Sequence, residues 1–170
     1  DFVMQTDATV ARVLDALEKS GAAKNTLVVF TSDNGCAPYI GVTDLEAKGH
    51  YPSGPLRGHK ADAWEGGHRV PFIVRWPSHV KAGSTSDQLT CLTDIIATAA
   101  TITGAALPHD AAEDSFNLLP ALEGKATAPI RPYLLTQAFG GARTLSIHRG
   151  NWKYIDHPGS GGNNYDKGEM

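Results

Sequence analysis

Thr26-Leu27-Val28-Val29-Phe30-Thr31-Ser32-Asp33-Asn34-Gly35 is the stretch around which the chain is organised. Residues 27–30 are apolar, with β-branched and aromatic side chains, the composition of a strand buried on both faces. Polar residues and a glycine follow at once, so the chain has to turn after Thr31. In open α/β sheets ligands gather outside the carboxyl ends of the strands, and this turn delivers Asp33 and Asn34 there. A carboxylate beside a carboxamide offers hard oxygen donors, which suit calcium or magnesium better than zinc. Asn-Gly is also a common surface-turn signal, and on these residues alone the plain strand and turn is the stronger reading.

Upstream, Val10, Val13, Leu14 and Leu17 recur at helical spacing with Arg12, Asp15 and Glu18 between them. Thr6 or Asp7 is placed to cap that helix, and Gly21 to end it. Helix, short turn and strand make an αβ unit of the kind that packs helices on a parallel sheet. Downstream, residues 36–69 show little periodicity and are rich in Gly, Pro and His. A connection of that length inside a domain is usually functional or disordered. Its aromatics (Tyr39, Tyr51, Trp64) and lack of low-complexity bias favour function.

Residues 70–76 read as a second buried strand bounded by Pro71 and Pro77. A second helix is expected over 92–104, with Ile95, Ile96, Ala99, Ala100 and Ile102 as its apolar face and Gly104 as its stop. Residues 105–114 read as a linker and 116–122 as a short helical turn. Three short strands then follow, over 133–136, 144–148 and 152–155, with Gly150-Asn151 as a hairpin turn. The tail from Gly159 onward is Gly/Ser/Asn-rich and is expected to be mobile.

With 170 residues and 41% hydrophobic content, the chain can bury one ordinary core and a small appended subdomain. A net charge of −3 without a basic block argues against nucleic acid and anionic membranes as partners. No apolar run approaches the roughly 20 residues that span a bilayer. Cys36 and Cys91 make neither a disulfide framework nor a zinc site. His50, His59 and His68 fall nine apart, which matches no zinc spacing.

Three segments carry a resemblance: Ser32-Asp33-Asn34-Gly35, Leu56-Arg57-Gly58-His59-Lys60-Ala61-Asp62 and Trp64-Glu65-Gly66-Gly67-His68-Arg69-Val70-Pro71. In that order they resemble the type I sulfatases, of the alkaline-phosphatase superfamily. The resemblance implies an α/β fold, an alkaline-phosphatase-like sandwich fragment with a small C-terminal antiparallel β subdomain. Residues 1–108 would be the C-terminal part of the sulfatase α/β domain, and 109–170 the linker and subdomain. It implies calcium on Asp33 and Asn34, and Lys60 as the catalytic and sulfate-contacting lysine, with Arg57 and His59 as substrate-side groups. Glu65-Gly66-Gly67 would be architectural, its glycines permitting positive φ and Glu65 accepting hydrogen bonds from loop amides. Related zinc-dependent phosphatases place a histidine where this chain has Asn34, which favours sulfate chemistry.

The family's nucleophile is a formylglycine made from Cys or Ser in a Cys/Ser-x-Pro-x-Arg context. Cys36-Ala37-Pro38-Tyr39-Ile40 starts that pattern but has Ile40 at the arginine position and lies after the metal strand. The resemblance therefore places formylglycine upstream of this chain and makes the chain alone inactive, with a tendency to self-associate through an exposed sheet edge. A sulfated small molecule or glycan is the implied substrate, and a periplasmic or secreted location is implied as well. Two alternatives stay open: a catalytically silent binding module, and a phosphatase or phosphonate hydrolase of the same superfamily.

Overall fold

The computed structural model describes residues 2–140 and 143–163. Helix α1 spans Phe2–Lys19, so it starts earlier than the capping pattern suggested. Thr6 and Asp7 lie inside it, and the Thr6 hydroxyl donates back to the Phe2 carbonyl at 3.0 Å rather than capping the start. The end is as expected. Gly21 has φ 73°, and the amides of Gly21 and Ala22 donate to the carbonyls of Glu18 and Leu17, the Schellman arrangement.

Strand β1 (Val28–Thr31) pairs with β2 (Phe72–Arg75) in a two-stranded sheet. Neither strand is fully buried. Phe30 and Ile73 are 36% and 59% exposed, because a sheet of two strands leaves both of them at an edge. The long connection carries a short helix that periodicity missed, α2 (Val42–Ala47), and one turn, α3 (Glu65–His68).

The chain divides into two compact units. The first comprises the residues up to Phe30, with Ile73–Gln88 and Thr93–Ala128. Here α4 (Asp94–Thr103) ends at Gly104 as expected, and α5 (Leu119–Leu122) forms the later turn. The buried side of α4 coincides only in part with its apolar stripe. Ile95 and Ile96 are exposed, while Asp94, Thr98 and Ala100 are buried. The reason is the segment that follows α4. Its Phe116 amide donates to Asp94 Oδ1 and its Leu118 amide to Thr98 Oγ1, both at 2.9 Å. A non-helical segment packed on a helix must find acceptors for its amides, and short polar side chains supply them.

The second unit comprises Thr31–Phe72, Leu89–Leu92 and the chain from Pro129 onward. Its sheet is the antiparallel meander β3 (Leu134–Gln137), β4 (Leu145–Arg149) and β5 (Trp152–Ile155). Leu135 faces Ile147, and Ile147 faces Tyr154, across its three strands. Gly150 takes φ 56° in the tight turn between β4 and β5. The tail expected to be mobile is packed as far as it is described. Ser160 is fully buried, and its carbonyl accepts the Ala63 amide at 2.9 Å. Residues 164–170 of that tail lie outside the described residues.

Candidate functional site

Past β1 the backbone is fixed by local bonds. Ser32 Oγ donates to the Asn34 carbonyl, and Asn34 Nδ2 donates to the Gly35 carbonyl. Two bonds of 2.8 Å then join this turn to the other motifs, from the Gly35 amide to the Gly67 carbonyl and from the Lys60 amide to the Cys36 carbonyl. The segments singled out in the sequence are therefore one hydrogen-bonded assembly.

Glycine is required there for space. A Cβ on Gly35 would strike the Gly66 carbonyl, one on Gly66 the carbonyls of Gly58 and Arg57, and one on Gly67 that of Asp62. Neither Gly66 nor Gly67 has a positive φ, so the conformational role expected for them is replaced by close backbone approach. The left-handed positions of the loop are Gly58 and Ala61, each at φ 86°. Ala61 is held in that unfavourable region with its carbonyl accepting the Phe139 amide at 2.9 Å.

The assembly lines a cleft of about 320 Å³. Asp33, Asn34, Lys60 and His68 contribute to its wall, with Asp62, Thr136 and Gln137. Among the described residues the Asp33 carboxylate, the Asn34 Oδ1 and the Lys60 Nζ have no hydrogen-bond or ion-pair partner. Arg57 and His59 do not line this cleft. The Arg57 guanidinium lies over the Trp64 ring, 4.0 Å from its centroid, and His59 Nδ1 is 3.2 Å from Ser53 Oγ.

Asp62, which the sequence reading left without a role, organises the loop. Its Oδ2 accepts the His59 amide at 2.8 Å, and its Oδ1 accepts Asn163 Nδ2 at 2.7 Å. Asn163 Nδ2 also donates to the Lys60 carbonyl at 2.9 Å. Asn163 thus ties together the two residues that flank Ala61, through the Lys60 carbonyl and the Asp62 carboxylate. No local pattern could reveal this, because Asp62 and Asn163 are 101 residues apart.

Glu65 also differs from expectation. Its side chain accepts from the Lys153 ammonium, 2.7 Å from Oε1, and among the described residues no loop amide donates to it. Lys153 Nζ lies 2.6 Å from His68 Nε2 as well. The Glu65 carboxyl is pulled down to about 2, by His68 and by Lys153, against the opposing effect of burial. Of the two, Lys153 is the hydrogen-bonded one, since His68 Nε2 stands 3.7 Å from Oε1. Burial lowers the Lys153 ammonium below its usual value, with Glu65 acting against that.

As donors, Asp33 and Asn34 fit a hard cation in kind. The Asn34 amide nitrogen is already committed to Gly35, leaving its carbonyl oxygen for a ligand. They do not fit in number, since calcium takes six to eight oxygens. Among the described residues no group of three or more His, Cys, Asp or Glu is placed to hold a metal. Cys36 is no activated nucleophile: burial, and then Glu46, push its thiol up. No helix among the described residues is long and apolar enough to cross a membrane.

Residues 1–105 match the Sulfatase family model. The N-acetylgalactosamine-6-O-sulfatase of Bacteroides thetaiotaomicron is 39% identical over 92% of this chain and 30% of its own length. The steryl-sulfatase of Mus musculus is 37% identical over 90% of this chain and 25% of its own. A structure solved in work on glycosaminoglycan metabolism by Bacteroides thetaiotaomicron superposes with a TM-score of 0.79 at 37% identity. That superposition covers 91% of this chain and 32% of the other. The chain spans less than a third of the length of the two curated relatives. With more than half its residues matched by one family, and the three motifs assembled around one cleft, the chain belongs to the sulfatase family.

Proposed function

We propose that this chain supplies the calcium-binding and sulfate-binding part of a sulfuric ester hydrolase site. One observation carries the reading: Asp33, Asn34 and Lys60 line one cleft, and their carboxylate, carboxamide oxygen and ammonium have no partner among the described residues. Asp33 is exposed and Lys60 half-buried, so both charges are open to a ligand of complementary charge. An anionic ester accompanied by a divalent cation has that complementarity.

Asp33 and Asn34 would hold calcium, with further oxygens from water and from the rest of the protein. Bound there, the cation supplies electrostatic stabilisation for charge on the sulfate oxygens. Lys60 would hold a nonbridging oxygen of the sulfate group, its backbone set by the Cys36 carbonyl on one side and Asn163 on the other. Arg57 and His59 flank it in the same segment and are assigned to the substrate side on that ground. No described residue offers an activated attacking oxygen, and we assign that role to a formylglycine elsewhere in the whole protein. The relatives named for a sugar sulfate and for a steryl sulfate are similarly identical to this chain. Identity alone therefore supports a sulfate ester, on a glycan or a small molecule, without choosing between them.

The test is a paired rate measurement on the full-length protein with an aryl sulfate and the matching aryl phosphate, before and after chelation. Sulfate should be the faster substrate, and calcium should restore the activity that chelation removes. A faster phosphate ester would transfer the site to phosphatase chemistry. Calcium-dependent sulfate binding without turnover would leave a silent binding module.

A further inference from the structure

We infer that His68 is a substrate-contacting hydrogen-bond donor of the cleft, presenting Nδ1–H because Lys153, held by Glu65, occupies its Nε2. The inference rests on the sulfatase reading and extends it to residues outside the calcium and lysine set.

The tautomer follows from the contacts. Lys153 comes from β5, and its side chain is only 14% exposed. Its Nζ is 2.7 Å from Glu65 Oε1 and 2.6 Å from His68 Nε2. An ammonium can only donate, and an imidazole nitrogen facing it at that distance must accept. A second positive charge at the same distance would be repelled strongly in a half-buried setting. The Glu65 carboxylate keeps the proton on Lys153, so the neutral ring carries its single N–H on Nδ1. That Nδ1 has no partner among the described residues, and His68 is one of the residues that line the same cleft as Lys60.

The two donors differ in kind. An ammonium is a point charge on a flexible stem, whereas an imidazole N–H has one direction. Lys60 therefore attracts the anionic group, and His68 fixes how the ester is oriented by bonding one oxygen. Lys153 and Glu65 are positioning residues, since they reach the substrate only through the ring.

The test uses the full-length protein with three variants. His68→Leu removes the donor. His68→Asn puts an amide N–H close to where Nδ1–H stood. Lys153→Met releases Nε2. Two readouts are taken: the imidazole nitrogen shifts of 15N-labelled histidine at neutral pH, and KM for an aryl sulfate alongside the Kd for inorganic sulfate. In the unaltered protein the shifts should show Nδ1–H with a bare Nε2, and in Lys153→Met the proton should move toward Nε2. KM and Kd should rise about 5–10-fold in His68→Leu, the loss of one neutral hydrogen bond, and stay within about twofold in His68→Asn, which keeps an N–H donor. An Nε2–H tautomer in the unaltered protein would overturn the inference. So would unchanged KM and Kd in His68→Leu, or equal losses in Leu and Asn, which would make His68 structural only. Sulfate binding that depends on His68 without any turnover would remove the sulfatase reading and leave the His68 assignment standing.

Discussion

Two regions of the molecule hold polar side chains in opposite states. In the first unit Asp94 is fully buried and Thr98 nearly so, and each accepts a backbone amide from the segment after α4. In the second unit Asp33, Asn34 Oδ1 and Lys60 Nζ line a cleft with no partner among the described residues. A satisfied buried polar group contributes to stability, because removing it strands its partner. An unsatisfied charge in a cleft contributes little to stability and is available to a ligand. On the function proposed above, the contrast separates architecture from chemistry.

The strongest way to break that contrast is to remove Lys60. In the full-length protein Lys60→Ala should lower kcat by about 10²-fold or more, the usual effect of deleting a charge that stabilises the transition state. Its unfolding midpoint should barely change, since the Lys60 ammonium has no bond among the described residues to lose. Near-normal turnover, or a large loss of stability, would place Lys60 with the architectural residues.

Asp94→Ala should behave in the opposite way. The Phe116 amide loses its acceptor, which costs about 1–3 kcal/mol of stability in urea unfolding, while kcat stays near that of the unaltered protein. Asp94→Asn, which keeps an oxygen at Oδ1, should recover most of the difference. A kcat defect in Asp94→Ala at temperatures where it is fully folded would blur the line between the two regions.

How far each region was legible follows the same division. The strand end that carries Asp33 and Asn34 was readable as a local pattern, while Lys60 was named only through the resemblance; all three line one cleft, and their roles are those proposed above. The strand and hairpin pattern of the C-terminal part was readable within a residue or so, since alternation and Gly150-Asn151 are local as well. The Asp94 acceptor, the Asp62–Asn163 clamp and the Glu65–Lys153–His68 cluster were not. Each joins residues 22 or more positions apart. A carboxylate's partner at that separation is set by tertiary packing, which periodicity does not encode. The same limit applies to α4, where the apolar stripe pointed to Ile95 and Ile96 but the buried face holds Asp94 and Thr98 with Ala100.

The smallest effect concerns Glu65, which stands between the two classes: paired like Asp94, yet bonded to groups that reach the cleft. Its carboxyl is held at about 2 in the folded protein, against 4.5 for an ordinary one. A depressed folded value means that the unfolded chain takes up the proton first as pH falls. The stability Glu65 contributes is therefore fully present above about pH 4.5 and is lost as pH falls toward 2. The side chain is 28% exposed and its partners are partly solvated, so the contribution is on the order of 1 kcal/mol. Urea unfolding of the unaltered protein and Glu65→Gln between pH 6 and pH 2.5 reads it directly. The two should differ by that amount at pH 6 and converge as acid protonates Glu65, with Lys153, His68 and Arg69 as the cationic or basic neighbours on its side chain. A gap that persists unchanged to pH 2.5 would mean that Glu65 stabilises the loop by packing, and that the ammonium of Lys153 is not fixed by charge.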